Sequence, residues 1–112
     1  MDTTLKIVMA QISPVWLDKA GTLKKIEHSI TEAAKENAEL IVFGEALLPG
    51  YPFWLALTGG AEWNKDVNKD IHAHYVSNSV CIEKGDLDSV CELAKTHKMA
   101  VYLGIMAVSY TH

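Results

Sequence analysis

Two cysteines, Cys81 and Cys91, are too few among 112 residues to staple a small disulfide-built fold, so free thiols in a reducing compartment are expected. Prolines number three and are not gathered with glycine or serine into a linker, and no segment is repeated or of low complexity. No apolar run approaches the ~20 residues of a membrane span. The N-terminal apolar run, Ile7 to Ala10, is too short for a secretory signal. Basic residues are outnumbered, giving a net charge of −4, and lysines are interleaved with acids. That leaves neither the basic footprint of a nucleic-acid binder nor a polybasic lipid patch. The expected setting is the cytoplasm, without nucleic-acid or membrane partners.

What is present is the composition of a globular chain, with 49% hydrophobic and 21% charged residues. The length allows one domain at most and a modest core.

Strand-like and helix-like segments alternate. Leu5 to Gln11 (LKIVMAQ) reads as a buried strand ending near the breaker Ser13-Pro14. Asp18 offers a helix N-cap. The stripe Leu23, Ile26, Ile30, Ala33 and Ala34 has helical spacing, with Asn37 as a left-handed C-cap. Leu40 to Phe43 (LIVF) is a short strand, apolar on both faces as parallel strands are. Pro49-Gly50-Tyr51-Pro52 must be a loop. After the break at Gly59-Gly60, Val67, Ile71, His74 and Tyr75 mark a helix. Asp86 is placed to cap another, with Leu87, Val90, Cys91 and Ala94 inside. Met99 to Val108 (MAVYLGIMAV) completes the pattern as a third strand.

This order predicts an α/β fold with right-handed crossovers. In such sheets functional groups gather beyond the carboxyl ends of the strands, where Glu45 follows the second strand. A carboxylate there, beneath an aromatic, proline-bound loop, can be partly desolvated, and desolvation raises its pKa towards that of a useful general base. A bare glutamate after a strand is nevertheless more often an exposed loop residue.

The neighbouring residues alter that balance. Phe43-Gly44-Glu45-Ala46-Leu47-Leu48-Pro49-Gly50-Tyr51-Pro52 resembles the block around the catalytic glutamate of the nitrilase, or carbon–nitrogen hydrolase, superfamily. Pro-Gly-Tyr-Pro is similar to its nitrilase-like branch. Lys6 to Gln11, Pro14, Trp16 and the segment Ala38 to Phe43 resemble the family's opening, and the stretch ending at Leu103-Gly104-Ile105 agrees in order and spacing. The resemblance runs to about Val108 and implies that residues 1–112 are the N-terminal portion of one truncated hydrolase domain.

The resemblance implies a four-layer α-β-β-α sandwich and a Glu–Lys–Cys triad acting on nitriles or amides, without a metal or other cofactor. Glu45 inherits the base role. The family's lysine and cysteine motifs lie further downstream and match nothing here. Full-length members are expected to form homo-oligomers. Tyr51 and Trp54 are candidate substrate-pocket walls, since aromatic surfaces suit an apolar nitrile; packing or a subunit contact is the competing reading. After the third strand, Ser109-Tyr110-Thr111-His112 departs from the charged pair and hairpin usual in the family. The alternative function is a non-catalytic module associating with a full-length homologue.

The remaining candidates have weaker support. Cys91 on an apolar helix face and Cys81 in Val80-Cys81-Ile82 suit buried, inert thiols. Trp16 and Trp63 suit packing, and His28 and His97 a helix surface. His72 and His74 are two apart and point to different helix faces, with no accompanying metal motif. Gly59-Gly60 lacks the spacing of a phosphate-binding loop.

Overall fold

Parallel pairing of three short strands organises the chain. The computed structural model describes residues 4–57, 59, 62 and 65–108. Gly60, Trp63 and the tail at 109–112 lie outside the described residues. Strand β1 (Ile7–Ala10) pairs with β2 (Leu40–Phe43), and β2 pairs with β3 (Ala100–Tyr102). Helix α1 (Lys19–Lys35) links the first pair; α2 (Asp66–Ser77) and α3 (Asp88–His97) lie between β2 and β3. This is the α/β architecture expected.

The reading of α1 holds at both ends. The Asp18 carboxylate accepts the Gly21 N–H at 2.9 Å, satisfying one of the amides a helix start leaves free. At the other end Asn37 stands in the left-handed region, at φ 60°. There the Asn37 N–H bonds the Ala34 carbonyl and the Ala38 N–H bonds the Ala33 carbonyl. This paired closure satisfies two of the carbonyls in the last turn. Ile26, Ile30 and Ala33 are buried as the stripe predicted. Burying each isoleucine contributes about 1.5–3 kcal/mol. Thr22 joins them; its hydroxyl donates to the Val15 carbonyl and accepts the Val15 N–H, both at 3.0 Å.

The core lies between α1, α3 and one face of the sheet, with Ile41, Phe43, Val90 and Met99 buried in it. Alternation along the strands leaves the other face bare. Ile7 is 48% exposed, Met9 80% and Tyr102 69%. Double-sided burial of the strands is therefore not achieved within the described residues, because both helices that pack on the sheet core sit on the same side.

Three local expectations need correction. The run Met99 to Val108 is not one strand. After Tyr102 it leaves β2, which has ended, and makes single bridges from Ile105 to Leu48 and from Ala107 to Val80. On α3 the inward face keeps Leu87 and Val90 but takes in Leu93 where Cys91 was expected. Leu87, Val90 and Leu93 meet the core, whereas Cys91 is exposed; Cys81 is the buried thiol. On α2, Val67 and His74 are exposed, and Tyr75 is the buried member of the expected stripe.

Asp86 does not cap α3, whose N-cap, Leu87, makes no side-chain bond. Its carboxylate accepts Lys19 Nζ at 2.7 Å and the Cys81 N–H at 2.8 Å, tying the start of α1 to the segment after α2. The bond from Lys19 and the one from the Cys81 amide hold this carboxyl below its ordinary value of 3.8. A lowered folded-state pKa adds stability that is present above 3.8 and lost as pH falls below it. Asp86→Asn is expected to cost about 1–2 kcal/mol at neutral pH in urea denaturation. The difference from the parent should narrow as the pH is lowered; a pH-independent difference would show that charge is not the cause.

Candidate functional site

The carboxyl ends of the three strands lie side by side, with Ala10 opposite Phe43 and Val42 opposite Tyr102. Parallel strands place their following loops along this one edge. Glu45 is in the turn directly after β2, so the sequence located it correctly with respect to the sheet. Its expected desolvation is not found. Glu45 is exposed and makes no hydrogen bond or ion pair with another described residue.

The loop is held tightly. Ala46 takes a positive φ of 49°, and the Gly50 N–H returns to the Ala46 carbonyl at 3.0 Å. Leu47, Leu48, Pro49 and Gly50 are all buried. Met106 N–H donates to the Leu48 carbonyl at 2.9 Å, pairing the loop with the chain beyond β3. Gly50 has φ 131°, and a Cβ there would stand 2.6 Å from two carbons of the Trp16 ring. On another side the buried Tyr75 hydroxyl donates to the Gly50 carbonyl at 2.8 Å. Burial pushes the Tyr75 phenol above its ordinary value, so it remains a neutral donor at physiological pH.

Trp16, Phe53, Trp54 and Tyr75 form a chain of edge-to-face aromatic contacts with centroids 4.8, 5.6 and 5.1 Å apart. Such contacts favour a defined mutual orientation. The packing expected of Trp16 is thus seen, against Gly50 and Phe53.

Beside this cluster is a cavity of about 550 Å³, within the usual size range of small-molecule sites. Tyr51, Trp54 and Tyr75 give aromatic walls; Ile105 and Met106 add apolar surface; Asn68, Lys69 and His72 from α2 add polar groups. Both Tyr51 and Trp54 therefore line one cavity. Glu45 itself does not line it, but the adjacent Ala46 does. Sequence reading missed Tyr75 and Asn68. The signal for Tyr75 was its place in the α2 stripe, which marked it for burial but not for a cavity wall.

The histidines separate as their spacing requires: His72 borders the cavity and His74 does not. Among the described residues no three His, Cys, Asp or Glu side chains gather as a metal site. The Cys81 thiol donates to the Glu83 carboxylate at 3.2 Å. No described helix is long and apolar enough to cross a membrane.

Comparison with known proteins gives this geometry a context. The profile of the carbon-nitrogen hydrolase family matches residues 6–111. An arylacetonitrilase of Macrophomina phaseolina is 37% identical over the whole chain, which covers 30% of that protein. One from Fusarium vanettenii is 36% identical, again over the whole chain and 31% of its own length. One from Arthroderma benhamiae is 35% identical over 96% of the chain and 30% of its length. The chain thus spans about 30% of the length of these relatives. With the match running through both crossovers and the Glu45 turn, the chain belongs to the carbon–nitrogen hydrolase family.

Proposed function

We propose that the chain forms the N-terminal portion of a nitrile-hydrolysing enzyme and supplies its general base, Glu45. The observation that carries this reading is a carboxylate at the parallel strand ends, one residue from a cavity walled in part by Tyr51, Trp54 and Tyr75. An aromatic nitrile fits those walls, and Tyr51 and Trp54 are the residues assigned to hold its ring. The name of the relatives, arylacetonitrilase, agrees with this choice.

In the mechanism, Glu45 takes the proton of a cysteine thiol supplied by the rest of the protein. The thiolate adds to the nitrile carbon, and the nitrogen gains a proton, giving a covalent thioimidate. Water adds to that carbon, a lysine stabilises the charge developed in the addition, and ammonia leaves. A second water cleaves the acyl-enzyme to the carboxylic acid and restores the thiol. Neither Cys81 nor Cys91 is assigned the nucleophile: one is buried beside Glu83, and the other is on the outer face of α3.

The bare sheet face gives a place for a second sheet. Packing there would cover Ile7, Met9 and Tyr102 and complete a four-layer sandwich. Other parts of the full-length protein would then also enclose the exposed Glu45 carboxylate and exclude water from it.

The test is release of ammonia and carboxylic acid from phenylacetonitrile by the full-length protein that carries this segment. Equimolar release of both products is expected. No turnover across a panel of aromatic and aliphatic nitriles and amides would end this reading.

A further inference from the structure

Beyond β3 the chain continues through Leu103, Gly104 and Ile105 alongside the turn that carries Glu45. The Leu48 N–H approaches the Gly104 carbonyl at 3.4 Å, and Ile105 bridges to Leu48. At Gly104 the two backbones leave no room between them for a side chain. A Cβ on Gly104 would stand 2.5 Å from the Gly44 carbonyl oxygen, 2.7 Å from the Ala46 nitrogen and 3.0 Å from the Glu45 Cα. All three atoms are backbone, so no flexible side chain can swing aside. Gly104 is not among the residues with positive φ. Its glycine is therefore required by close approach and not by conformational freedom.

We infer that Gly104 is a positioning residue for Glu45: its missing side chain lets the backbone after β3 seat directly against the Gly44–Ala46 turn and so sets where the carboxylate stands. The inference rests on the assignment of Glu45 as the base. The turn has little freedom of its own, because Ala46 is already in the left-handed region and Leu48 to Gly50 are buried. A side chain at Gly104 must move the turn bodily, by more than half an ångström to reach ordinary contact distances, roughly the scale on which catalytic geometry fails.

The experiment is Gly104→Ala in the full-length protein that carries this segment, assayed for ammonia release beside Glu45→Gln and Glu45→Asp. Thermal unfolding is followed in each. Gly104→Ala is expected to lower kcat by about 10–100-fold with KM within about threefold, because it displaces the base and leaves the apolar walls. In the Glu45→Asp background, where the carboxylate has already lost its reach, the same change should cost less than about threefold further. Equal losses in both backgrounds would make Gly104 a general structural residue and overturn the inference. So would a kcat within about twofold of the parent. A variant that does not fold overturns it too, since Gly104 would then serve the fold as a whole and not the turn. Undiminished turnover by Glu45→Gln removes the base assignment and the inference with it. An inactive Glu45→Gln beside a fully active Gly104→Ala removes Gly104 alone.

Discussion

Glu45→Gln in the full-length protein that carries this segment is expected to lower kcat for ammonia release by about a thousandfold, with KM little changed. The amide has nearly the same shape as the carboxylate but cannot take the thiol proton at neutral pH. The thiolate population then falls to what the cysteine's own acidity allows, and attack slows in proportion. The aromatic walls do not include Glu45, so substrate binding has no reason to weaken. Stability should also be preserved. The side chain is exposed and bonds no described residue, and substitutions at such positions stay within about 0.5 kcal/mol. Steady-state kinetics with a thermal melt separate these effects. A loss of turnover that accompanies a large drop in melting temperature would mean that Glu45 supports the fold, and full activity would remove it from the chemistry.

The second large effect is expected at Gly50. Gly50→Ala should destabilise the protein by roughly 3 kcal/mol, from two sources. At φ 131° an alanine is strained whatever space surrounds it, and here its methyl would also enter the Trp16 ring, 2.6 Å from Cε3 and Cζ3. The Tyr75 hydroxyl would lose its aim at the Gly50 carbonyl if the loop moved to relieve either strain. The two sources are separable. Trp16→Ala introduced with Gly50→Ala removes the collision and leaves the dihedral strain, so the double variant should be less destabilised than the sum of the singles. Denaturant unfolding measures this directly. Strict additivity would show that Trp16 does not confine Gly50, and a cost below about 1 kcal/mol for Gly50→Ala would show that the loop is not locked.

These two residues illustrate different degrees of legibility. Glu45 was legible at a strand end because a short apolar run ends just before it, and its proposed role came from the resemblance of the Phe43–Pro52 block to the carbon–nitrogen hydrolase family. Gly50 was visible only as part of a loop; nothing local revealed that Trp16, 34 positions earlier, lies against it. Asp86 shows the same limit. Its placement before a helical stripe was sound evidence for a cap, but a lysine 67 positions away offers a charge-assisted bond stronger than a capping contact.

The sequence by itself determined the order of strands and helices, the limits of α1 with its Asp18 and Asn37 caps, and the position of Glu45 at a strand end. Each rests on periodicity or on bonds between residues a few positions apart, which neighbouring side chains specify. The tertiary structure alone decided that Cys81 is buried and Cys91 exposed, and that the run beyond Tyr102 leaves the sheet to pair with Leu48 and Val80. It also decided that Tyr75 holds Gly50, and that Gly104 lies against the Glu45 turn. All of these depend on contacts between distant parts of the chain. A helix can turn by part of a residue step, or a backbone approach another by an ångström, without any change in the local pattern that the sequence displays.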